Sequence, residues 1–581
     1  MSSTTYLGGW QTLATVGICT TIAANLVVKL VRKTVLVPSL TIMNDLPNAG
    51  KDRPDGLRKG RAVICGGSVA GLLTAAVCAQ HFENVLVIEP EGSVEELGMD
   101  IPKDKETRMM ENGLTTAIPL RKRVVQYLTL HVFLPIVLLG LRQLFPELQK
   151  ELDYFGLAGV PMTVQFFYGS IPSPELYRPD DPNAPKTLPI SRQALETLLR
   201  RLVVKYRNNI TFLTGTVEGF QRTEDGSNKI SGVKVRTAGG VKQEESGIFV
   251  VDATGPAQSS YHKWIKNAGF GPLPSSLQIS YDPFLTYSQS VWTLSEKVRE
   301  QVKDLLPYGL HPGVVYANTP DWSTGEQKAM YIDLVEKSQL LITTGGWDLT
   351  ADQRPHSIDE LRAYLKSIHR SETTPDWVYG LLDILEANEE ACAPWWVEVP
   401  AGRMSYIKYQ EAPKGTLPDN WIAVGDAFLK LNPIYGQGCT KAMMDAITLD
   451  GLLRQLPSNQ AIPLDFSGKF FRKAIARSGS MWDGTKAVDY GWPTTEPAKG
   501  ETLREGAFGR NLGRSLIYAG RTVRQWANIS SAIMSSNLKP KNARNGRADT
   551  LRSSFNTPHG VWLPKRISSR HQCWGGSRGV G

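Results

Sequence analysis

The sequence predicts an α/β fold in which a discontinuous domain, built on a parallel sheet, is interrupted by a strand-rich insertion and followed by helices. Three observations predict it. An apolar strand, a glycine-rich turn, a helix and a second strand follow one another in residues 61–92. A second strand, turn and helix recur far along the chain, in residues 420–449. The residues between the two segments are rich in strand patterns and aromatic side chains.

The first segment begins with residues 62–65, an apolar run long enough for a strand that is buried on both faces. The turn Gly66-Gly67-Ser68-Val69-Ala70-Gly71 then opens an Ala/Leu-rich helical pattern, and a second apolar strand ends at Glu89. This order is the dinucleotide fingerprint in its required context. A structural βαβ turn without a ligand is the alternative.

Each position of this fingerprint has a physical role. Gly66 makes the tight turn, Gly71 lets the helix and strand pack closely, and the helix start attracts a pyrophosphate. Glu89 is placed to accept from ribose hydroxyl groups. Ser68 stands where the pattern has its middle glycine; its Cβ crowds the pyrophosphate, while its hydroxyl is able to donate to a phosphate oxygen.

The second segment decides which dinucleotide is bound. Residues 421–424 predict another buried strand, closed by Gly425 and Asp426, and the run Asn432-Pro433-Ile434-Tyr435-Gly436-Gln437-Gly438 leads into a helix to about residue 453. Asp426 can accept from ribityl or ribose hydroxyl groups. Gly436 and Gly438 let the backbone approach a flat ring, and the helix start offers N–H groups to a ring edge that becomes anionic on reduction. A nicotinamide dinucleotide needs no such second half-site, so the cofactor predicted is FAD.

Together with the run VVDATG at residues 250–255, these motifs resemble the FAD-dependent monooxygenases of the p-hydroxybenzoate hydroxylase group, and most closely its squalene-epoxidase-like and natural-product members. The resemblance covers roughly residues 61–456 and implies a Rossmann-like FAD-binding domain. It also implies cofactor contacts for Arg121 in LRKR, for Arg192 in ISRQALETLLRRL, and for Asp252 and Gly255. Both arginines have an alternative as solvated charges, and Asp252 as a turn residue.

The predicted cofactor-binding residues are therefore Gly66, Ser68, Gly71, Glu89, Arg121, Arg192, Asp252, Gly255, Gly425, Asp426, Pro433, Gly436, Gln437 and Gly438. No catalytic residue and no metal ligand is predicted. His131 is expected to be a satisfied core histidine. The six cysteines have no metal-binding spacing and are expected to be free thiols.

The predicted domain organisation follows from these segments. It comprises an N-terminal hydrophobic anchor (1–36), a linker (37–60), the first part of the FAD-binding domain (61–260), a β-rich substrate domain (261–400), the second part of the FAD-binding domain (401–460), a C-terminal helical region (461–538) and a basic disordered tail (539–581). The tail has nine Lys or Arg residues against one Asp, so it supplies +8 of the formal charge of +9. The rest is nearly neutral, so no nucleic-acid partner is indicated.

Two uncharged runs bear on membrane association. Residues 6–28 carry no charge and precede Lys29, Arg32 and Lys33. This run is long enough to span a bilayer, and the following charges would place the catalytic domain on the cytoplasmic side, at the endoplasmic reticulum in a eukaryote. An interfacial helix and a cleaved targeting segment are the alternatives. The second run, residues 124–141, is expected to be a buried helix near the cofactor.

The resemblance implies a monooxygenase that uses O₂, with NAD(P)H as a transient co-substrate, to hydroxylate or epoxidise a lipophilic small molecule of secondary metabolism. A terpenoid, a polyketide polyene or a prenylated phenol would suit a membrane-associated enzyme. Three alternatives remain: a flavin-dependent prenyl-chain reductase, a halogenase, and a non-catalytic membrane-tethered flavoprotein. The halogenase motif WxWxIP is not matched by residues 395–400.

Overall fold

The structure is a computed structural model that describes residues 26–100, 121–124, 126–173, 177–256, 261–336 and 338–522, all within one compact unit. The strands are β1 (Arg58–Cys65), β2 (Phe82–Glu89), β3 (Val160–Pro161), β4 (Gln165–Tyr168), β5 (Ile171–Pro172), β6 (Lys186–Thr187), β7 (Ile210–Arg222), β8 (Ile230–Thr237), β9 (Lys242–Ser246), β10 (Phe249–Asp252), β11 (Gln278–Tyr281), β12 (Leu285–Thr293), β13 (Gly313–Thr319), β14 (Lys328–Val335), β15 (Gln339–Trp347), β16 (Trp395–Pro400), β17 (Met404–Ile407), β18 (Trp421–Ala423) and β19 (Leu429–Lys430).

The α-helices are α1 (Val37–Leu40), α2 (Val69–Cys78), α3 (Val94–Leu97), α4 (Pro135–Leu144), α5 (Leu148–Phe155), α6 (Arg192–Tyr206), α7 (Tyr261–Asn267), α8 (Glu296–Leu305), α9 (Ile358–Ser367), α10 (Asp376–Ala387), α11 (Glu389–Cys392), α12 (Gly438–Leu453), α13 (Phe466–Asp489) and α14 (Ala507–Thr522). Short 3₁₀ turns include Gly425–Ala427 and Pro433–Tyr435.

The first sheet has seven strands in the order β18-β10-β1-β2-β7-β8-β9. Its first five strands run parallel, and β7, β8 and β9 form an antiparallel meander. Six of its strands come from residues 58–252, whereas β18 (Trp421–Ala423) pairs with β10 only after the strands of the second sheet have intervened in the sequence, so this domain is discontinuous, as predicted. Helix α2 packs against both α6 and α12. The predicted α/β fold class is confirmed.

The second sheet has seven strands in the order β16-β12-β15-β14-β13-β4-β5 and is largely antiparallel. Side chains alternate between its two faces. Trp292, Met330, Ile332 and Leu340 point to one face, where they share a hydrophobic core with α8, α9 and α10. The opposite face looks toward the first sheet and is called the roof below.

The C-terminal helices are part of the folded body. The long helix α13 packs against α12, and α14 packs against α13. On α14, both Arg514 and Tyr518 bind the buried Asp321 beside strand β13. Three short strands, β11, β17 and β19, form a small antiparallel sheet of their own.

The two uncharged runs, residues 6–28 and 124–141, were expected to form a membrane anchor and a buried helix. The expected helix over residues 124–141 is wrong at its start, because α4 begins at Pro135. Proline is preorganised for the first helical position and lacks the N–H that would be unpaired there. The residues before it form turns and extended backbone, and backbone groups of Leu128 and Leu130 bond the Gln289 side chain on β12 of the second sheet. Residues 1–25 of the predicted anchor lie outside the described residues, as does the whole of the basic tail. Among the helices that the structure describes, none is long and apolar enough to cross a membrane.

Candidate active site

A single cavity of about 680 Å³ lies between the first sheet and the roof. On the side of the first sheet it is lined by Ser68, Val69 and Ala70 and by the turns after β10 and β18. On the roof side it is lined by Tyr287, Tyr331 and Thr343. Its size is within the range of pockets that hold cofactors and small molecules.

The first glycine turn follows the predicted geometry. Gly66 has a φ of +114°, and a Cβ added there would lie 2.5 Å from the carbonyl oxygen of Ala253. A Cβ on Gly71 would lie 1.8 Å from the carbonyl oxygen of Gly66. Both positions therefore require glycine, for the turn and for the close approach of helix and strand. Behind the turn, the N–H of Gly67 donates to the Glu89 carboxylate at 2.9 Å.

A buried carboxylate that the sequence did not single out, Glu196 on α6, organises the basic residues beside this turn. The Ser68 hydroxyl donates to Glu196 at 2.9 Å and accepts from Arg192 at 2.8 Å. Arg121 bonds Glu196 and also pairs with Glu89 at 2.7 Å. Burial alone would raise the pKa of Glu196, but Arg121 and its neighbours hold that pKa below the ordinary value. Ser68 and the predicted arginines thus belong to one ion-pair cluster, of which Ser68 and Arg192 reach the cavity.

The spacing of Glu196 and Arg192 was the available signal for this cluster. The two residues are four apart on α6, where side chains lie on the same face of a helix and form a pair at 3.1 Å. A second pair four residues apart joins Glu196 to Arg200. Neither pair predicts that Arg121, from a distant segment of the chain, also binds the Glu196 carboxylate.

Asp252 has the turn role that was the alternative for this residue. Its carboxylate accepts from the backbone N–H of Thr254 at 3.0 Å and from the Thr254 hydroxyl at 2.6 Å. The side chain is buried at the end of β10, where burial raises its pKa to about 6. Asp252 therefore closes this turn and its cofactor contact stays a prediction, whereas the next predicted residue, Gly255, lines the cavity.

The turn after β18 is held by a buried ion pair on the helix that follows it. Lys441 donates to the Gly425 carbonyl oxygen at 2.9 Å and pairs with Asp445 at 2.5 Å. The Gly425 N–H in turn donates to Asp445 at 2.9 Å. Asp426 faces the cavity, and burial raises its pKa against the opposing effect of the nearby Lys430. Lys441 and Asp445 were missed because a helical charge pair usually indicates a solvated face.

The second glycine turn begins at Asn432, whose side-chain oxygen accepts from the N–H of Ile434 at 3.0 Å. Gly436 has a φ of +63°, and a Cβ there would lie 3.1 Å from the carbonyl oxygen of Val132. Helix α12 then starts at Gly438, where an added Cβ would meet nothing within 4 Å. The backbone at Gly438 is therefore open toward the cavity that it lines.

Asp489, at the end of α13, holds this turn from behind. It accepts from the Asn432 amide at 2.8 Å, from the Tyr281 hydroxyl at 2.7 Å and from the Trp347 indole N–H at 3.0 Å. No local pattern predicts this role, because Asp489 lies in a helix far from the motif in the sequence. Burial raises its pKa to about 6. The predicted C-terminal helical region thus reaches the second glycine turn through Asp489.

The described residues fit an FAD held at both turns. The side-chain oxygens of Gln437 and Thr440, at the start of α12, are buried without a hydrogen-bond partner in the described part of the chain. Together with the open backbone at Gly438, they offer polar groups and room to a flat polar ring. Eight predicted residues line the cavity: Ser68, Arg192, Gly255, Gly425, Asp426, Pro433, Gly436 and Gly438. The other six, Gly66, Gly71, Glu89, Arg121, Asp252 and Gln437, are not among its lining residues.

His131 also lines the cavity, although it was expected in the core. Its Nδ1 lies 2.8 Å from the carbonyl oxygen of Thr129. Burial, and next the charge of Arg192, lower its pKa to about 4. The ring is therefore neutral at physiological pH, with the Nδ1 proton donated to that carbonyl.

A parallel sheet with two glycine turns, facing a second sheet across the cavity that both line, is the arrangement expected for a domain that holds FAD at both turns. No protein-family model and no curated protein sequence matches the chain. Several solved structures are similar to the chain in fold. The flavin-dependent brominase Bmp2, as a triple mutant, is 15% identical over 83% of this chain and 100% of its own, with a TM-score of 0.47.

Two further solved structures are similar to a comparable extent. PqsL, a probable FAD-dependent monooxygenase from Pseudomonas aeruginosa, is 14% identical over 79% of this chain and 100% of its own, with a TM-score of 0.46. The Diels-Alderase PyrE3 is 15% identical over 82% of this chain and 80% of its own, with a TM-score of 0.48. The first two are described as a flavin-dependent brominase and a probable FAD-dependent monooxygenase. Similarities of this size carry no information about reaction or substrate.

Proposed function

We propose that the protein is an FAD-dependent monooxygenase that uses NAD(P)H and O₂ to hydroxylate or epoxidise a lipophilic small molecule. One observation carries the proposal: residues of the two glycine turns and residues of the roof line the same cavity. A ring held between the turns and a substrate held under the roof would therefore share one enclosed space. Bound FAD would supply the chemistry, taking electrons from NAD(P)H and passing them to O₂.

The residues of the chain bind, orient and exclude water. The Arg121–Arg192–Glu196 cluster and the start of α2 would hold the phosphate end. Asp426 and the open backbone at Gly438 would hold the ribityl and ring end. The apolar side chains of Val132, Leu431 and Ile434 line the cavity and would keep water from the reacting atoms. The fingerprint occurs once in the sequence, which supports NAD(P)H as a transient co-substrate rather than a resident one.

The substrate class stays broad at this level. A terpenoid, a polyketide polyene or a prenylated phenol of secondary metabolism would each suit a cavity of this size and lining. We also propose that the N-terminal segment associates with a membrane and leaves the catalytic domain facing the cytoplasm. In support, Leu26, Val27, Leu30 and Val31, which lie within the predicted anchor, are exposed apolar residues beside Lys29.

The test is oxygen uptake by purified, FAD-loaded protein supplied with NADPH or NADH and a panel of phenols and polyenes. We expect some members to stimulate NAD(P)H oxidation and oxygen uptake together, with an oxygenated product. NAD(P)H oxidation without oxygen uptake, with a saturated prenyl product, would instead indicate a reductase. A halide-dependent product would indicate a halogenase, and no turnover with any reductant would indicate a binding role.

Gly436→Val is the variant that ties this activity to the site. Valine at a φ of +63° is strained, and its Cβ would press on the Val132 carbonyl. The variant should lose FAD or activity. Gly226→Val is the control for backbone strain, because Gly226 is a loop glycine with a positive φ and an added Cβ there would meet nothing within 4 Å. Full retention of both FAD and activity in Gly436→Val would contradict the site assignment.

A further inference from the structure

The small sheet of β11, β17 and β19 has one apolar face and one polar face. The apolar face packs into the hydrophobic core through Ile279, Tyr281, Met404, Tyr406 and Leu429. Side chains of successive residues point to opposite faces of a strand. Ser280 and Ser405, which lie between these core residues in the sequence, and Lys430, which follows them, therefore point to the other face. All three line the cavity.

The three polar residues stand side by side across the small sheet. In its antiparallel register, Ser280 is opposite Ser405, and Ser405 is opposite Lys430. Residues directly opposite each other on antiparallel strands share a face, with Cβ atoms about 4.5–5.5 Å apart. Two hydroxyl groups and one ammonium group therefore form a continuous row on the cavity wall, which is called the polar row below.

The polar row keeps hydrogen-bond donors that the protein does not use. In the part of the chain that the structure describes, neither serine hydroxyl makes a hydrogen bond. Lys430 donates to the backbone carbonyl of Ala401 at 2.7 Å and pairs with no described carboxylate, so N–H donors of its ammonium group stay free. Arg403, which also lines the cavity, differs because it is bound to Glu496 at 2.8 and 3.0 Å.

The charge of Lys430 favours an anion at this place. Burial lowers the pKa of Lys430, against the opposing effects of Asp426 and Asp282. An ammonium group that is partly removed from water is costly without a partner, and an anion bound beside it would stabilise its charged form. The oxygens of a carboxylate or a phosphate only accept hydrogen bonds, so they match a row made of hydroxyl and ammonium donors. A neutral alcohol or ketone would leave the charge uncompensated.

We propose that Ser280, Ser405 and Lys430 form a site for an oxyanion, a carboxylate or phosphate group, of a small molecule that enters the cavity. Two molecules of the proposed reaction can carry this group: a substrate with a carboxylate, or the NAD(P)H co-substrate with its phosphates. The inference rests on the proposed function for these two sources only, since the polar row itself is a feature of the cavity wall.

The test is isothermal titration calorimetry of the FAD-loaded protein with two pairs of probes. 2-Naphthoate and 2-naphthamide differ in charge on one carbon skeleton, whereas NADP⁺ and NAD⁺ differ by one phosphate and do not reduce the flavin. Lys430→Gln removes the charge but keeps a donor for the Ala401 carbonyl. We expect it to weaken binding of an anionic probe by about tenfold or more, the effect of losing a hydrogen bond to a charged group, and to leave 2-naphthamide unaffected.

The probe that is affected identifies the source of the oxyanion. A loss confined to 2-naphthoate indicates a carboxylate on the substrate. A loss for NADP⁺, with or without NAD⁺, indicates a phosphate of the co-substrate. Lys430→Arg keeps the charge and should restore most of the affinity, and Ser405→Ala should weaken binding of the same probe several-fold. Ser405→Ala carries the test if Lys430→Gln does not retain FAD.

Lys408→Gln is the matched control, because it makes the same change directly after β17 at a lysine that already pairs with Glu411. It should leave all affinities unchanged. Unchanged affinities in both Lys430→Gln and Ser405→Ala, an equal loss in Lys408→Gln, or no binding of any anionic probe at millimolar concentration would overturn the site. Anionic probes that bind through the polar row of a protein that never oxidises NAD(P)H would instead contradict the proposed function and leave the oxyanion site standing.

Discussion

The two glycine turns that meet in the cavity are held in place by different means. The first is held by backbone within the first sheet, since the neighbours of Gly66 and Gly71 are carbonyl oxygens of residues 66 and 253. The second is held by a side chain from elsewhere, since Asp489 of α13 binds Asn432, and the turn after β18 that precedes it is likewise held by the Lys441–Asp445 pair, which binds Gly425. A turn of the first kind depends on glycine, whereas a turn of the second kind depends on distant polar residues.

The largest expected effect concerns the glycines themselves. Gly71→Ala would place a Cβ 1.8 Å from a backbone oxygen, and should lower the unfolding free energy by more than about 3 kcal/mol. The variant should also lose FAD. Gly438→Ala, with nothing within 4 Å, should change the unfolding free energy by less than about 1 kcal/mol but weaken FAD binding. Urea unfolding and flavin content measure both. Equal unfolding free energies of Gly71→Ala and Gly438→Ala would contradict the dependence of the first turn on glycine.

The second prediction concerns the charges beside the first turn. Glu196→Ala would leave Arg121, Arg192 and Arg200 buried around a missing carboxylate, and breaking such pairs costs about 3–5 kcal/mol. We expect this loss in urea unfolding, together with weaker FAD binding. Glu300→Ala, which removes an exposed pair with Lys303, is the control and should cost less than about 1 kcal/mol. A Glu196→Ala protein as stable as the Glu300→Ala protein would contradict the role of the cluster.

The difference between the turns also explains what was predictable. The first turn, the strand β1 before it and the end of β2 at Glu89 all follow from local patterns. Their contacts join residues that are close in the sequence or that lie on neighbouring parallel strands. Helix α12 ends at Leu453, as expected from its periodicity. Glu196, Asp489 and the Lys441–Asp445 pair were missed, because each acts on a residue that only the tertiary fold brings near. The roof tyrosines were missed for the same reason, since nothing local distinguishes Tyr287 from a core tyrosine.

The third prediction tests whether Asp489 supports the second turn as a buried acid. Its pKa is raised from 3.8 to about 6, so its contribution to stability is present below about pH 4 and is lost as the pH rises through about 6. Asp489→Asn does not titrate. Relative to the wild type, the unfolding free energy of this variant should therefore rise by about 2–3 kcal/mol between pH 4 and pH 7.

Urea unfolding at several pH values measures this difference. The control is Asp483→Asn, the same replacement at an exposed position of the same helix. A difference between Asp489→Asn and the wild type that stays flat across this pH range would show that the carboxyl of Asp489 does not titrate as a buried acid. The FAD content of Asp489→Asn at pH 7 then reports whether the second turn still binds the ring.

The smallest expected effect lies at Ser68, the one departure from the fingerprint of the first turn. Its hydroxyl makes no helix cap and instead joins Glu196 to Arg192. Ser68→Ala removes these two hydrogen bonds but keeps the Cβ, and should cost about 1–2 kcal/mol of unfolding free energy. Ser68→Gly also removes the Cβ that crowds the pyrophosphate position. If that crowding matters, Ser68→Gly should bind FAD more tightly than Ser68→Ala in fluorescence titrations. Equal affinity of the two variants would mean that the backbone of the first turn, and not the side chain at position 68, controls the approach of the phosphates.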